Sequence, residues 1–168
     1  RLGEKKLMID SIMGTINPPW TLTEALGVEK RLLEYDPFWW EEPVHPANIA
    51  AMSYLKANSA INIAGGEALN CRFEYEQYFE MEAVDYIQLD VTNSGGFDEW
   101  YDICEMFNKP SAMHVWGSGL ALMANLHFGL ASNAVEYLEI PMMKLDIADD
   151  IMNTKIIVEN GRAHKPDV

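Results

Sequence analysis

The chain has 168 residues, 49% of them apolar and 23% charged, and a formal net charge of −14. That length and composition suit one globular domain with a real core and exclude a disordered or fibrous chain. The acidic balance argues against a nucleic-acid partner, whose phosphates need clustered Lys and Arg, and no run of about 18 uncharged apolar residues predicts a membrane span.

The opening residues, Arg1-Leu2-Gly3-Glu4-Lys5-Lys6, carry neither an initiator Met nor a signal-peptide pattern, so the segment is expected to be internal to a longer chain. The first strand candidate is Leu7-Met8-Ile9, followed by Asp10. Leu22, Ala25, Leu26, Leu32 and Leu33 then share one helical face, with Thr21 or Thr23 as the N-cap. Phe38-Trp39-Trp40 is the second strand candidate, running into Glu41-Glu42-Pro43. Ile49, Met52 and Leu55 stripe a second helix. Ile61-Asn62-Ile63-Ala64 is a third strand candidate, leading to Gly65-Gly66-Glu67, and residues 73–82 give a weaker helical pattern.

Tyr86-Ile87-Gln88-Leu89 reads as the fourth strand, ending at Asp90. Trp100, Ile103, Cys104 and Phe107 fall at i, i+3, i+4 and i+7 of the next helix. Ser111-Ala112-Met113 precedes His114, residues 118–131 form another helix, and Val135-Glu136-Tyr137-Leu138 precedes Glu139. Cys71 and Cys104, in a helix or at its start, are too few for a disulfide framework. They read as free thiols, which favours a reducing, cytoplasmic setting.

Strand–helix alternation of this kind predicts an α/β fold with a parallel sheet, either a barrel or an open doubly wound sheet. No GxGxxG or Walker-type loop supports nucleotide binding. The strand candidates all end in an ionisable residue: Asp10, Glu41, Glu67, Asp90, His114 and Glu139. Their spacings are 31, 26, 23, 24 and 25 residues, about one βα unit each. Groups at the same point of successive strands belong on the C-terminal rim of a (β/α) barrel, where such folds carry their chemistry.

Asp10, Glu41 and Glu67 offer oxygen-only ligands of the kind Mg²⁺ takes, and a dication would relieve their mutual repulsion. Any one of them alone would more often be a solvated loop residue. Asp90 and His114 suit a dyad in which the carboxylate orients the imidazole and the imidazole exchanges a proton with substrate. Glu139 suits a hydrogen bond to a developing oxyanion, or else a rim salt bridge. His45, His127 and His164 read as packed or surface residues.

In this order and spacing the residues resemble the mandelate racemase subgroup of the enolase superfamily (the mandelate racemase/muconate lactonizing enzyme group). Glu41-Glu42-Pro43 after an aromatic strand, Gly65-Gly66-Glu67, Leu89-Asp90 with Gly95-Gly96, and Met113-His114 carry the resemblance, from about Leu7 to Asp167. It implies a partial TIM-type (β/α)7β barrel with about six of eight strands, residues 1–168 being the portion that bears the metal and acid/base rim. The N-terminal capping domain and first barrel strands are expected to lie outside the chain, leaving this portion inactive and marginal by itself. The resemblance also implies one Mg²⁺ held by Asp10, Glu41 and Glu67, an Asp90–His114 acid/base dyad, and Glu139 as stabiliser of the enolate or the substrate carboxylate. Two departures stand out. Asp10-Ser11-Ile12 replaces the family's frequent Asp-x-Asn, and the Lys-x-Lys strand has no counterpart, since Lys5-Lys6 are adjacent.

The implied chemistry is Mg-dependent abstraction of the proton α to a carboxylate of a small-molecule sugar acid, in carbohydrate acid catabolism. An acid-sugar dehydratase, a lyase, comes first; a sugar-acid cycloisomerase or a racemase or epimerase, an isomerase, is the alternative. His114-Val115-Trp116-Gly117-Ser118-Gly119 is similar to the strand end of sugar-acid cycloisomerases, with Trp116 either lining the substrate pocket or packing under the rim. Related full-length enzymes commonly form homo-oligomers. A non-catalytic barrel scaffold or a structural metal protein would have no use for all six rim residues.

Overall fold

The computed structural model describes residues 5–93, 95–107, 110–143 and 151–164. Six strands follow the chain: β1 (Met8–Asp10), β2 (Trp39–Glu41), β3 (Asn62–Gly65), β4 (Tyr86–Leu89), β5 (Ser111–Met113) and β6 (Val135–Leu138). Their order in the sheet is their order in sequence, and the described pairings between them are parallel. An open doubly wound sheet reverses its order at a switch point. Sequential order is that of a partial (β/α) barrel, the alternative that the six ionisable strand ends favour.

The chain divides into two compact units. The first comprises residues 1–68 and 72–87. In it Met8, Ile9 and Asp10 lie opposite Trp39, Trp40 and Glu41, which in turn lie opposite Asn62, Ile63 and Ala64. The ladder thus runs one residue further than the apolar runs suggest, so Asp10 and Glu41 are strand residues and not loop residues. The Ser11 N–H closes the ladder on the Glu41 carbonyl at 3.1 Å.

Helix Leu22–Leu32 starts at Thr21, not Thr23. The Thr21 hydroxyl accepts from the Glu24 N–H, and the Glu24 carboxylate accepts from the Thr21 N–H at 2.8 Å, a reciprocal capping box. Those bonds hold the exposed Glu24 carboxyl below its ordinary pKa. The predicted stripe stops short of Leu33, where the chain tightens into a 3-10 turn (Leu33–Tyr35) that leaves Leu33 exposed. Helices Ile49–Asn58 and Arg72–Glu80 complete the unit, with Trp40, Met52, Leu55, Ile63, Tyr75 and Tyr78 fully buried.

Between Asp10 and the first of these helices the backbone makes a left-handed turn, with positive φ from Ile12 to Ile16. Sequence periodicity does not reveal it, because L-residues rarely enter that region. Gly14 sits at its centre for a steric reason. A Cβ there would lie 2.8 Å from the Val44 Cα, and the Gly14 N–H donates to the Glu42 carbonyl at 2.7 Å.

The second unit comprises residues 69–71 and 88–168. Helix Phe97–Phe107 buries Trp100, Ile103, Cys104 and Phe107, the four positions its periodicity singles out. Helix Gly119–Ala131 is capped by the Ser118 hydroxyl, which accepts from the Ala121 N–H at 3.2 Å. An antiparallel hairpin, β7 (Val158–Glu159) with β8 (Arg162–Ala163), was not predicted. Its strands have two residues each, too short for an alternation signal. Cys71 and Cys104 are free, and burial pushes the Cys104 thiol up to about 11. No helix among the described residues is long and apolar enough to cross a membrane. Asp167, where the family resemblance ends, lies outside the described residues.

Candidate active site

Each of the six ionisable residues stands at the C-terminal end of its own strand. Asp10 and Glu41 are the last residues of β1 and β2, and Glu67 lies two residues past β3. Asp90, His114 and Glu139 directly follow β4, β5 and β6. Each strand is a short, mostly apolar run that pairs in the parallel ladder, and the chain leaves the sheet at or just before the ionisable residue.

In the first unit Asp10 and Glu41 are register partners on neighbouring strands, so their side chains leave the same face of the sheet, about 4.8 Å apart in the pairing direction. Asp10 is exposed, and its Oδ1 accepts from the Ile12 N–H at 2.6 Å as the left-handed turn begins. The neighbouring Ser11 receives the buried Trp40 indole N–H on its hydroxyl at 2.6 Å. Glu41 is buried, and so is the adjacent Glu42, which sequence reasoning left out of the site.

Glu67 follows Gly66, whose carbonyl accepts from the Tyr75 hydroxyl at 2.7 Å. The Tyr78 hydroxyl donates to the Pro46 carbonyl at 2.8 Å, and burial raises its pKa well above the usual phenol value. Two tyrosines of one helix thus pin the loops that follow β2 and β3. Three carboxylates are the donor chemistry that Mg²⁺ prefers, and Glu41, the register partner of Asp10, is buried. In that chemical sense the residues fit the ion. They are not gathered into a ligand cluster: among the described residues no group of three or more His, Cys, Asp or Glu side chains is poised around one point.

The second unit is assembled. The Asp90 Oδ2 lies 3.0 Å from the His114 Nδ1, and the His114 N–H donates to the Leu89 carbonyl at 2.7 Å. The other oxygen of Asp90 accepts three bonds, from the Thr92 N–H at 2.9 Å, the Thr92 hydroxyl at 2.7 Å and the Asn125 Nδ2 at 2.8 Å. Burial pushes the Asp90 carboxyl up, but the bonds from His114, Asn125 and Thr92 together outweigh it and hold the pKa down to about 2. An anion at that position keeps a proton on the His114 Nδ1 and so fixes the orientation of the ring. Glu139 is tied to β5 by its N–H, which donates to the Met113 carbonyl at 2.9 Å. Its Oε1 accepts from the Gln88 Nε2 at 2.8 Å.

Sequence reasoning missed Gln88, Thr92 and Asn125. Gln88 had a signal, since it is polar inside an apolar strand run and two residues before Asp90, hence on the same face. Asn125 also had one, as a lone carboxamide in a helix that is otherwise apolar at its buried positions. Trp116 is 60% exposed and so does not pack beneath the strand ends. His45, His127 and His164 are exposed, and the His45 ring accepts from the Ala47 N–H within its own turn.

Comparison with known proteins agrees with this architecture. The family model described as Enolase C-terminal domain-like matches residues 1–168. Over 154 residues the chain is 30% identical to the arabinonate dehydratase of Saccharolobus solfataricus, a match covering 90% of this chain and 41% of that protein. Its fold superposes on the 3,6-anhydro-D-galactonate cycloisomerase from Zobellia galactanivorans with a TM-score of 0.85 at 27% identity, over 95% of this chain and 45% of that one. A racemase from Streptomyces coelicolor A3(2) with bound magnesium gives a TM-score of 0.71 over 82% of this chain and 36% of that one. At 23% identity that likeness is one of fold alone. The chain spans less than half the length of these relatives.

Proposed function

The chain belongs to the Enolase C-terminal domain-like family, and on that premise we propose that it carries the metal-binding and acid/base residues of an acid-sugar dehydratase. The enzyme would remove the proton α to a sugar-acid carboxylate and expel the β-hydroxyl as water. The observation that carries this reading is the Asp90–His114 pair, 3.0 Å apart, with the carboxylate held ionised. Its 30% identity to an arabinonate dehydratase supports the substrate class.

In this mechanism His114 accepts the α-proton at Nε2 while Asp90 stabilises the imidazolium that forms. Electrons from the broken C–H bond form a C=C bond as the β C–O bond breaks. His114 returns its proton to the departing hydroxyl, and the enol product tautomerises to a 2-keto acid. Glu139, oriented through Oε1 by Gln88, would hydrogen-bond the carboxylate oxygen on which charge develops. The exposed Trp116 indole offers an apolar face to the carbon–hydrogen side of the sugar. Mg²⁺ held by Asp10, Glu41 and Glu67 would supply Lewis-acid stabilisation of the negative charge on the substrate carboxylate.

A cycloisomerase is the second reading, favoured by the likeness to the Zobellia galactanivorans enzyme. It keeps the proton-abstraction step and replaces the departing hydroxyl with an intramolecular oxygen leaving group. One experiment separates the two. Intact enzyme with Mg²⁺ in D2O is offered a panel of mono- and diacid sugars, and exchange and product mass are recorded. Apart from the deuterium taken up from solvent, a product lighter by one water supports the dehydratase, and one isomeric with its substrate the cycloisomerase. No exchange with any hydroxy acid, despite bound metal, leaves a non-catalytic scaffold.

A further inference from the structure

We infer that Asn125 is a positioning residue that locks the Asp90 carboxylate in the rotamer from which it pairs with His114. Asn125 lies in helix Gly119–Ala131 and is completely buried. An aliphatic side chain there would need no partner, whereas a buried carboxamide is tolerated only when its polar atoms are bonded. The structure meets that condition with three bonds. Its Nδ2 donates to the Asp90 Oδ1 at 2.8 Å and to the Ala121 carbonyl at 3.1 Å, and its Oδ1 accepts from the Val91 N–H at 3.0 Å.

The two ends of the amide cannot be exchanged. The Val91 N–H only donates and the ionised Asp90 only accepts, so the donor end must face the carboxylate. Asn125 therefore grips the backbone after Asp90 with one atom and the Asp90 side chain with another. With the two bonds from Thr92, this fills the Oδ1 side and leaves Oδ2 turned toward the imidazole. Neither Leu nor Ala can reproduce that grip, because neither offers a donor or an acceptor.

This inference rests on the dyad reading of the proposed function, but its test does not need turnover. Among the described residues Asp90 pairs with the His114 ring, Glu139 follows the neighbouring strand, and the helix after His114 carries one titratable group, the exposed His127. Ring ¹⁵N resonances of His114 are recorded across pH in the unaltered full-length protein, in Asn125→Leu and in Asn125→Ala. The unaltered protein is expected to show a single Nδ1–H tautomer. In both variants the two tautomers should average, with Nδ1–H exchanging with water at least about tenfold faster, and the His114 midpoint should fall as the Asp90 carboxylate is freed to turn away from the ring.

Ala needs less room than Asn and offers no donor, so that variant decides the matter if the Leu variant fails to fold. Folded variants with the unaltered ring resonances and midpoint would make Asn125 a packing residue only and overturn the inference, as would an unaltered protein lacking a fixed tautomer. Absence of α-proton exchange with every sugar acid would defeat the proposed reaction but leave the ring spectra, and so this inference, standing.

Discussion

Gln88 donates its side-chain amide to Glu139, Nε2 to Oε1 at 2.8 Å, linking β4 to the residue after β6 across 51 positions of sequence. Gln88 is fully buried, and among the described residues its Oε1 has no hydrogen-bond donor. Gln88→Leu therefore removes one good bond and one unmatched acceptor together, and the unfolding free energy should change by less than about 1 kcal/mol. Turnover should nonetheless fall by about tenfold or more, because Glu139 loses the group that orients it. Denaturant titration and steady-state kinetics on the same variant check both halves. A stability loss equal to the catalytic loss would show that Gln88 is structural.

His114→Asn should reduce α-proton exchange by about a thousandfold, within the range general-base removal produces. Mg²⁺ affinity should stay unchanged by calorimetry. Parallel loss of metal and activity would make the imidazole a ligand or a structural residue instead.

Glu41→Gln and Glu67→Gln should each weaken Mg²⁺ binding by about tenfold, or ~1.4 kcal/mol. Calorimetry with the metal alone reads this without any substrate. If the affinity of Glu67→Gln matches that of the unaltered protein, Glu67 does not belong to the ligand set.

Tyr75→Phe and Tyr78→Phe each delete a buried hydroxyl donor and should each cost about 1 kcal/mol of stability. Only Tyr75→Phe should also weaken Mg²⁺ binding, because the carbonyl it releases belongs to Gly66, next to Glu67. Equal effects of the two variants on metal affinity would argue that the Gly66 contact has no bearing on Glu67.

Acid stability should carry the signature of Asp90. Its folded pKa, about 2, lies below the ordinary carboxylate value of 3.8, so the folded state binds the proton less readily than the unfolded chain. Its contribution is fully present above about pH 4 and is lost as the pH falls toward 2. Asp90→Asn should flatten the stability profile over that interval and leave its slope above pH 5 unchanged. An unaltered slope between pH 4 and 2 would show that the carboxylate is not stabilised by folding.

Much of the fold was legible because it depends on short-range pattern. Strands β4, β5 and β6 begin and end where their apolar runs do, and helix Phe97–Phe107 buries the four residues at its helical spacing. Strands β1 to β3 run one residue later, because a parallel ladder continues through any residue whose backbone can pair, polar or not. The turn at Ile12–Ile16 was invisible, since its left-handed backbone is imposed by contacts with the chain around Glu42 and Val44 and not by local preference.

The six strand-end residues and the pairing of Asp90 with His114 follow from the sequence itself: a repeat of about 25 residues returns each polar residue after an apolar run to the same point of a βα unit. Tertiary structure alone decided which oxygen of Asp90 faces the imidazole, that Asn125 and Thr92 occupy the other, and that Gln88 holds Glu139. Most of those choices link residues tens of positions apart, and local propensity is indifferent to them. They are selected in the buried interior, where an unmatched polar atom costs more than it would in water.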